Sequence, residues 1–598
     1  MDYLKRTFMG KDERDFHHAV VPLPSERRQS NQIKAEDNQT DVKSDDSTSS
    51  LGEKSSQSQT LGKSATTLES LRAEVDSDVA VEGHNTAYDR TYNWCWGIYS
   101  AFGVLSDAFL HASHECKSKV INKAIQDMGM GSYQWKLFTL CGFGWMADNL
   151  WLQGVALTLD PIAAEFGVDS NRVRYTTLAL FTGLCIGASF WGIISDIIGR
   201  RYAFNMTLFL AGSFGLAAGG ANSWIAVCAL YACIGLGVGG NLPVDGALFL
   251  EFLPGESNYL LTLLSIWWPV GQLISSLLAW AYIPNFSCAA DAAVCTKADN
   301  WGWRYFILTL GAITFLMFIF RFFLFDLFES PKFLLSRGRQ AEAVRVVQGI
   351  AAANKTTTWL TEDILNQIGG DPDVTEDHKL STLDIVKRAA GKFSTQRIGP
   401  LFHGWKLAST TVLIWFAWTT IGMGYPLFNA FLPQYLANNG GGGSNSVSTT
   451  YRNYAITSIV GVPGSFLGCY TVNLKYIGRK GTMAGATAIS GMFLFLFTTS
   501  TNSGTQLAFS SLEAFFQNIM YGVLYAYTPE VFPAPNRGTG TGISSFFNRL
   551  AGLCAPIVAV NAASANPNAP IYASGGLFFA AFVAICLLPI ETRGKQTL

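Results

Sequence analysis

Twelve apolar windows, each about twenty residues long, recur between residues 138 and 590 and constrain the fold more than any other feature. An α-helix needs about 20 apolar residues to cross a bilayer core, and lipid offers its backbone no hydrogen-bond partner. The windows therefore predict an all-α polytopic membrane protein with twelve transmembrane helices. They lie near residues 138–159, 176–195, 203–221, 224–247, 259–283, 303–327, 407–435, 453–473, 482–500, 507–528, 540–561 and 572–590.

Composition agrees with this class of protein. Charged residues make up 14% of the 598, against about 25% in a soluble protein, and 49% are hydrophobic. A net charge of -1 argues against nucleic acid as a partner, because that partner needs a clustered basic surface. The eleven cysteines form no CxxC pair, and no metal-ligand cluster or nucleophile-and-base set is visible. We predict no metal, no cofactor and no enzymatic activity.

A polar stretch of about seventy residues divides the windows into two sets of six. The first ninety or so residues are rich in Ser, Thr, Gln and charged residues, a composition that predicts disorder. Residues 91–110 fit an interfacial segment better than a further membrane helix. We predict five regions: a cytoplasmic tail with a pre-helix (1–133), a six-helix bundle (134–328), a cytoplasmic loop with short helices (329–403), a second six-helix bundle (404–590) and a cytoplasmic tail (591–598).

Basic residues indicate the side of the membrane on which each loop lies, because cytoplasmic loops carry an excess of Lys and Arg. The loops that this rule assigns to the cytoplasm contain Arg200, Arg201, Lys332, Arg337, Arg339, Arg345, Lys475, Arg479 and Lys480. Those assigned to the opposite side contain Arg172, Arg174, Lys297 and Arg452. Both termini are therefore predicted to be cytoplasmic, in the plasma membrane or an endomembrane.

Two turns in the two halves repeat each other: GIISDIIGRR follows the second window and GCYTVNLKYIGRKG follows the eighth. The first resembles the cytoplasmic loop motif of the major facilitator superfamily, while ESPKFLLSRGRQAEA, YTPEVFPAPNRGTGTG and ETRGKQTL resemble sugar-porter sequences. INKAIQDMGMGSYQWKLFTLCGFGWMADNLW and GLGVGGNLPVDGALFLEFLP are similar to synaptic-vesicle-protein-like and organic-ion-transporter-like members. The resemblance implies a major facilitator fold, whose halves rock about a site near the bilayer midplane.

Three positions depart from these families. Trp151 stands where the branch often has a second acidic residue, and Tyr231 stands where sugar porters usually carry an arginine. Asn473 occupies a place that is commonly aspartate in the second loop motif. These departures weaken a direct transfer of sugar-porter proton coupling.

Polar residues inside the windows are candidates for a substrate and proton pathway, because they are costly in lipid. Asp148 is predicted to face the central cavity and bind a proton, or to be a static partner of a buried arginine. Arg549 either holds an anionic substrate or neutralises Asp148. Gln272 matches a sugar-porter glutamine that binds hydroxyls, and an interhelical hydrogen bond is the alternative. Glu513 either takes a proton or is a solvated vestibule group.

The predicted pathway comprises Asp148, Gln272, Asn429, Gln434, Glu513 and Arg549. Five aromatic residues either line the cavity or serve packing, namely Trp145, Trp151, Trp267, Trp268 and Phe428.

Charged residues near the predicted cytoplasmic ends of the helices form a candidate gate, with ion pairs that hold the inner side shut when the cavity faces outward. The gate residues are Asp196, Arg200, Arg201, Glu251, Glu329, Arg479, Lys480, Glu530 and Arg537. On the opposite side, Cys288 and Cys295 flank a short loop where a disulfide is expected. The adjacent Asn285 begins a glycosylation sequon.

These features predict a secondary active transporter that moves a small polar solute, such as a sugar or an organic anion, by alternating access. No GxxxxGK[ST] nucleotide-binding motif is present, so an ion gradient is expected to supply the driving force, and protons are the predicted coupling ion. We expect a monomer whose partners are the solute, protons and the lipid bilayer. The alternative is a membrane receptor or vesicle protein that keeps the transporter fold, binds ligand and does not transport.

Overall fold

The computed structural model describes residues 16–21, 107–257, 259–288, 295–369, 398–433, 435, 447–500, 502–532, 537–563, 566 and 568–592. Within them, α-helix is nearly the only regular structure, beside a single β-bridge between Val20 and Thr358. The described residues form two compact units. One comes from Met1–Tyr133 and Pro331–Lys379, and the other from Gln134–Ser330 and Leu380–Leu598.

The described chain contains eighteen α-helices, and those outside α1 and α10–α12 correspond in order to the apolar windows. Their bounds are α1 Asp107–Met128, α2 Ser132–Phe166, α3 Tyr175–Ile198, α4 Arg200–Ala218, α5 Trp224–Val238, α6 Asn241–Phe252, α7 Tyr259–Leu264, α8 Trp267–Phe286, α9 Gly302–Ile319, α10 Pro331–Ser336, α11 Gln340–Ala353, α12 Glu362–Gly369, α13 Trp405–Asn429, α14 Val447–Thr471, α15 Gly478–Thr499, α16 Ser503–Val531, α17 Arg537–Ala563 and α18 Ala569–Cys586. A π-helical turn, Phe320–Leu324, extends α9. The fourth window is divided into α5 and α6, and the fifth into α7 and α8.

Eight helical segments of the described chain are long and apolar enough to cross a membrane by length and composition alone. Helices α2, α4, α14 and α16 are not among these eight segments, although each coincides with an apolar window of the sequence. Two of them, α2 and α16, bury polar side chains in the larger unit, including Asp148 and Glu513. A helix that faces protein over much of its circumference needs fewer apolar residues than one that faces lipid.

The helix bundle has two distinguishable ends. We call one the basic end, because the turns at Gly199 and Gly478 lead there into α4 and α15 with their Arg and Lys residues. Both glycines have positive φ, 103° and 61°, which favours glycine. We call the other the disulfide end, because Cys288 and Cys295 are joined there by a disulfide with a Cα–Cα distance of 5.8 Å.

Glycines allow α3 and α5 to pack at backbone distance. A Cβ atom added at Gly183 would lie 2.0 Å from the Ala232 carbonyl oxygen, and one at Gly235 would lie 2.3 Å from the Leu180 carbonyl oxygen. The glycine run of the fourth window therefore serves close helix packing, as small residues do in membrane bundles.

The two halves meet chiefly along two helix pairs, α3 with α17 and α8 with α14. Ser276 and Ser458 form a hydrogen bond of 3.1 Å across the second pair, and Arg174 donates to the Ala559 carbonyl across the first at 3.2 Å. Polar contacts between the halves therefore exist at these two interfaces.

The smaller unit contains α1, α10, α11 and α12, so the predicted short helices of the middle loop are present where the structure describes it. Lys117 of α1 donates to Gln340 at 2.6 Å, and Trp359 donates to Asp127 at 2.9 Å. Residues 380–393 of this loop lie outside the described residues.

Part of the amino-terminal tail belongs to this smaller unit. The Val21 N–H donates to the Thr358 carbonyl at 2.9 Å, the Thr358 N–H donates to the Ala19 carbonyl at 2.8 Å, and Ala19 is buried. The prediction of a disordered tail is therefore wrong for residues 16–21, because backbone pairing and one small apolar side chain hold them. The segment predicted to be interfacial, residues 91–110, is described only from Asp107, where α1 begins.

Candidate functional site

A buried ion pair joins the two six-helix halves. Arg549 of α17 donates from Nη2 to Oδ1 of Asp148 on α2 across 3.3 Å, and both residues are almost fully buried, with 5% and 3% exposure. Of the two roles predicted for Arg549, neutralising Asp148 is the arrangement observed. Since a lone buried charge is strongly unfavourable, the pair also explains how either residue is accommodated in an apolar helix.

An amide and hydroxyl network lies next to this pair. Gln272 of α8 donates from Nε2 to Asn149 Oδ1 at 3.1 Å and to the Tyr425 hydroxyl at 3.0 Å. Tyr425 of α13 in turn donates to Asn149 Oδ1 at 3.3 Å. Gln272 therefore makes interhelical hydrogen bonds, the alternative that its sequence left open, and connects α2 and α8 with the second half. Asn149 and Tyr425 were missed, although Asn149 is adjacent to Asp148 in sequence.

An aromatic cluster lies on the basic-end side of Asp148. The rings of Trp145 and Trp268 stack with centroids 4.7 Å apart, and Tyr525 of α16 lies 5.7 and 4.8 Å from them. Trp418 of α13 meets Tyr525 edge-on at 4.5 Å. Among the described atoms, the indole N–H groups of Trp145 and Trp268 have no acceptor, so both are available to a bound solute or water.

The other aromatic candidates serve packing inside one half. Trp151 donates to Thr314 at 3.1 Å, and Trp267 contacts Phe143 edge-on at 5.9 Å, all within the first half. In the second half, Phe428 packs on a phenylalanine of α15 at 5.3 Å. Hydropathy cannot distinguish an aromatic side chain that faces the site from one that faces a neighbouring helix.

Glu513 of α16 is a second buried carboxyl, with 1% of its surface exposed. Its Oε1 accepts a hydrogen bond from Gln517 Nε2 at 2.6 Å, and Gln517 accepts one from Asn429 Nδ2 at 3.3 Å. The interpretation of Glu513 as a solvated vestibule group is therefore wrong, because surrounding helices cover it. Asn429 joins the same chain of amides, and Gln434 lies outside the described residues.

At the basic end, Glu329 holds the start of α4. Its carboxylate accepts hydrogen bonds from the backbone N–H groups of Arg200 and Arg201, at 3.0 and 3.4 Å, while Arg200 pairs with Glu251 at 3.0 Å. A carboxylate at a helix amino terminus is stabilised by the free N–H groups and by the helix dipole. Burial raises the pKa of Glu329, and the backbone N–H groups oppose that shift.

The second half repeats this arrangement. Glu591 accepts from the backbone N–H groups of Arg479 and Lys480 at 3.2 and 3.1 Å, and Arg479 forms a salt bridge with Glu530. Glu591 was missed, although the equivalence of the GRR and GRK turns calls for a counterpart of Glu329.

The ion pairs described at the basic end each join helices of the same half. These pairs are among those predicted for the gate residues, and each braces its own half, while the gating role stays a prediction. The side chains of Asp196 and Arg537 lie outside the described part of the chain.

Two further buried ion pairs brace the first half and were missed. Arg321 donates to Asp245 at 2.6 Å with both side chains fully buried, and Arg304 donates to Glu165 at 2.6 Å. The rule that selected Asp148, a charge inside an apolar window, applies equally to Asp245 and Arg321.

At the disulfide end, the structure joins Cys288 and Cys295, the pair expected from the sequence. Asn285 is exposed near the end of α8 and donates from Nδ2 to the Ala281 carbonyl at 2.9 Å. The glycosylation expected at Asn285 stays a prediction.

Two six-helix halves that enclose one buried polar site between them have the architecture of a membrane transporter. The chain belongs to the Major Facilitator Superfamily, whose sequence profile matches residues 138–473 and 453–598. The fold class predicted from the windows and motifs is confirmed.

Two relatives and one solved structure illustrate what the chain is similar to. It is 46% identical over 497 residues to MFS siderochrome iron transporter 1 of Ceriporiopsis subvermispora (strain B), covering 82% of this chain and 94% of the relative. It is 26% identical over 495 residues to the synaptic vesicle 2-related protein of Xenopus laevis, covering 80% and 82%. The solved structure of the proton:xylose symporter XylE matches with a TM-score of 0.57 and 18% identity, covering 78% of this chain and 98% of that one. The last comparison shows the fold alone.

Proposed function

We propose that the chain is a proton-coupled secondary transporter of small organic anions that works by alternating access. The observation that carries this proposal is the Asp148–Arg549 pair, which is buried and contributed by both halves. A guanidinium binds a carboxylate through two parallel hydrogen bonds, so a substrate carboxylate is a direct competitor of Asp148 for Arg549.

Competition for Arg549 provides a coupling mechanism. A proton on Asp148 removes the charge that holds Arg549, and the guanidinium becomes free to bind the substrate carboxylate. When the substrate leaves, Arg549 attracts the Asp148 carboxylate again, which favours release of the proton. Proton and anion therefore occupy the site together, and rocking of the halves moves both across the membrane in the same direction.

Two neighbouring features favour an organic anion over a sugar. The aromatic cluster around Trp145 and Trp268 offers ring faces and two unpartnered indole N–H donors among the described groups. Gln272, the residue that resembles a sugar-binding glutamine, already donates to Asn149 and Tyr425. The proposal also places the basic end of the bundle on the cytoplasmic side, in agreement with the positive-inside rule.

Uptake into proteoliposomes tests this function. Labelled aromatic monocarboxylates, aliphatic dicarboxylates, hexoses and organic cations are supplied with and without an inward proton gradient. We expect a carboxylate to accumulate only with the gradient. Arg549→Lys should weaken its apparent affinity roughly ten- to hundredfold, because charge-assisted hydrogen bonds contribute about 1.5–3 kcal/mol. The matched control is Arg452→Lys, at an exposed arginine that should leave affinity unchanged.

Two results would contradict the proposal. Proton-driven hexose uptake that is insensitive to Arg549→Lys would identify a sugar transporter. Saturable ligand binding without flux, in protein shown to be folded, would identify the receptor that shares this fold.

A further inference from the structure

Glu513 has no charged partner in the part of the chain that the structure describes. Gln517 Nε2 donates to its Oε1 at 2.6 Å, and its Oε2 has no hydrogen-bond partner among the described atoms. No described Lys or Arg nitrogen lies within salt-bridge distance of it. Glu513 thus differs from Asp148, whose charge is compensated by Arg549.

A carboxylate in this setting is costly, because an amide donor alone does not replace the hydration of a negative charge. The neutral carboxylic acid avoids that cost. Titratable groups from two adjacent helices act on Glu513, namely the hydroxyls of Tyr425 on α13 and Tyr454 on α14. Both are uncharged at neutral pH, so within the described residues they offer the carboxylate no counter-charge.

A narrow crevice reaches Ser510, one helical turn from Glu513, on the disulfide-end side. Its walls are Leu432, Asn453, Tyr454, Thr457, Ser503, Leu507 and Ser510. Ser503 begins α16 at the disulfide end, and Ser510 lies one helical turn before Glu513 on the same face. The part of the crevice that the centre of a water molecule can occupy is about 10 Å³, room for about one water, so the crevice admits water but not an organic solute.

The Tyr425 hydroxyl belongs to the central site and is also affected by the charge of Glu513. The charges of Glu513 and Asp148 both act on the Tyr425 hydroxyl, which is bonded to Gln272 and Asn149. Both carboxyl groups therefore act electrostatically on the Tyr425 hydroxyl, so a change of charge on either one alters the environment of that hydroxyl.

We propose that Glu513 is a second protonation site, distinct from Asp148, that exchanges protons with the disulfide side through this crevice. A proton from crevice water binds Oε2 and leaves a neutral carboxyl group, and the reverse transfer restores the anion. The site deepens the proposed function and rests on it, since it supplies the proton coupling of the transport cycle.

Glu513→Gln tests the proposal, because glutamine keeps the shape and mimics the permanently neutral form. We expect the variant to keep solute exchange between equal solutions on the two sides, which requires no net proton movement. It should lose gradient-driven accumulation to the level of wild-type protein treated with a protonophore. The matched control is Asp299→Asn, at an exposed carboxylate of the disulfide end, which should accumulate solute like the wild type.

The proposal would be overturned if Glu513→Gln accumulated solute to the wild-type level. It would also be overturned if the folded variant lost both exchange and accumulation, because that result indicates a purely structural role. If the wild type transports nothing, the proposed function fails, and infrared titration of the purified protein still decides the protonation site. We expect a buried protonated-carboxyl band that is absent in Glu513→Gln and present in Asp148→Asn. A wild-type protein without that band would contradict the assignment.

Discussion

Charged residues inside apolar helices are the most informative single positions of this chain. Asp148 and Arg549 pair across the halves, whereas Asp245 and Arg321 pair within the first half. The two pairs are similar in burial and chemistry, but only the first spans the interface that must rearrange in alternating access. Location relative to the halves, and not burial alone, distinguishes a candidate transport residue from a brace.

At this scale we predict strong coupling between Asp148 and Arg549. Asp148→Asn or Arg549→Gln alone leaves one buried charge without its partner and should lower the stability of the folded protein by about 3–5 kcal/mol. The double variant removes both charges and should recover most of that loss. Thermal unfolding of the four purified proteins measures this, and additive losses would show that the two side chains do not interact.

At the scale of helices, the two halves use the same device to begin a span. A glycine with positive φ precedes α4 and opens α15, and a carboxylate, Glu329 or Glu591, accepts hydrogen bonds from the first N–H groups. The first turn of a helix has unpaired N–H groups that need acceptors, so each acidic residue stabilises the helix it meets. The repeated turn motif thus reflects a repeated structural requirement.

Close helix packing gives a prediction with a control in the same helix. Gly183→Ala should destabilise the protein by about 1–3 kcal/mol, because its Cβ would lie 2.0 Å from the Ala232 carbonyl oxygen. Gly192→Ala, also in α3, meets no atom within 4 Å and should be neutral or stabilising, since alanine favours helix by up to about 1 kcal/mol. Detergent-solubilised yield and melting temperature provide the measurement, and equal behaviour of the two variants would contradict the packing role.

At the scale of the molecule, the candidate site is assembled from both halves of one unit. The first half contributes α2 and α8, and the second contributes α13, α16 and α17. A site built in this way cannot form in one half alone. In the proposed alternating access, relative motion of the halves would change its contacts and so couple binding to rocking.

The smaller unit gives a prediction about the amino-terminal tail. The Val21 N–H donates to the Thr358 carbonyl, and the Thr358 N–H donates to the Ala19 carbonyl. Both amides should therefore be protected from hydrogen exchange. Ala19→Arg places a long charged side chain at a buried position and should remove that protection. His18→Ala, at an exposed neighbour, should keep it. Exchange monitored by mass spectrometry gives the readout, and fast exchange of Val21 in the wild type would contradict tail docking.

The amino-acid sequence by itself determined the class of fold, because apolar length, charge placement and repeated turns are local properties that the bilayer constrains. It also selected Asp148, Arg549, Gln272 and Glu513, since a polar group in an apolar helix needs a partner wherever that partner lies. The helix count and the order of the spans follow from the same constraint.

Only the tertiary structure decided which of these groups meet. Arg549 lies 401 residues from Asp148, and Tyr425 lies 153 residues from Gln272, so no local pattern records either contact. The same holds for Trp151 and Trp268. Both are tryptophans in apolar helices, but Trp151 packs within one half and Trp268 lies beside the site. Partner choice depends on how helices rotate and pack against one another, a property of the whole bundle that the periodicity of one helix does not contain.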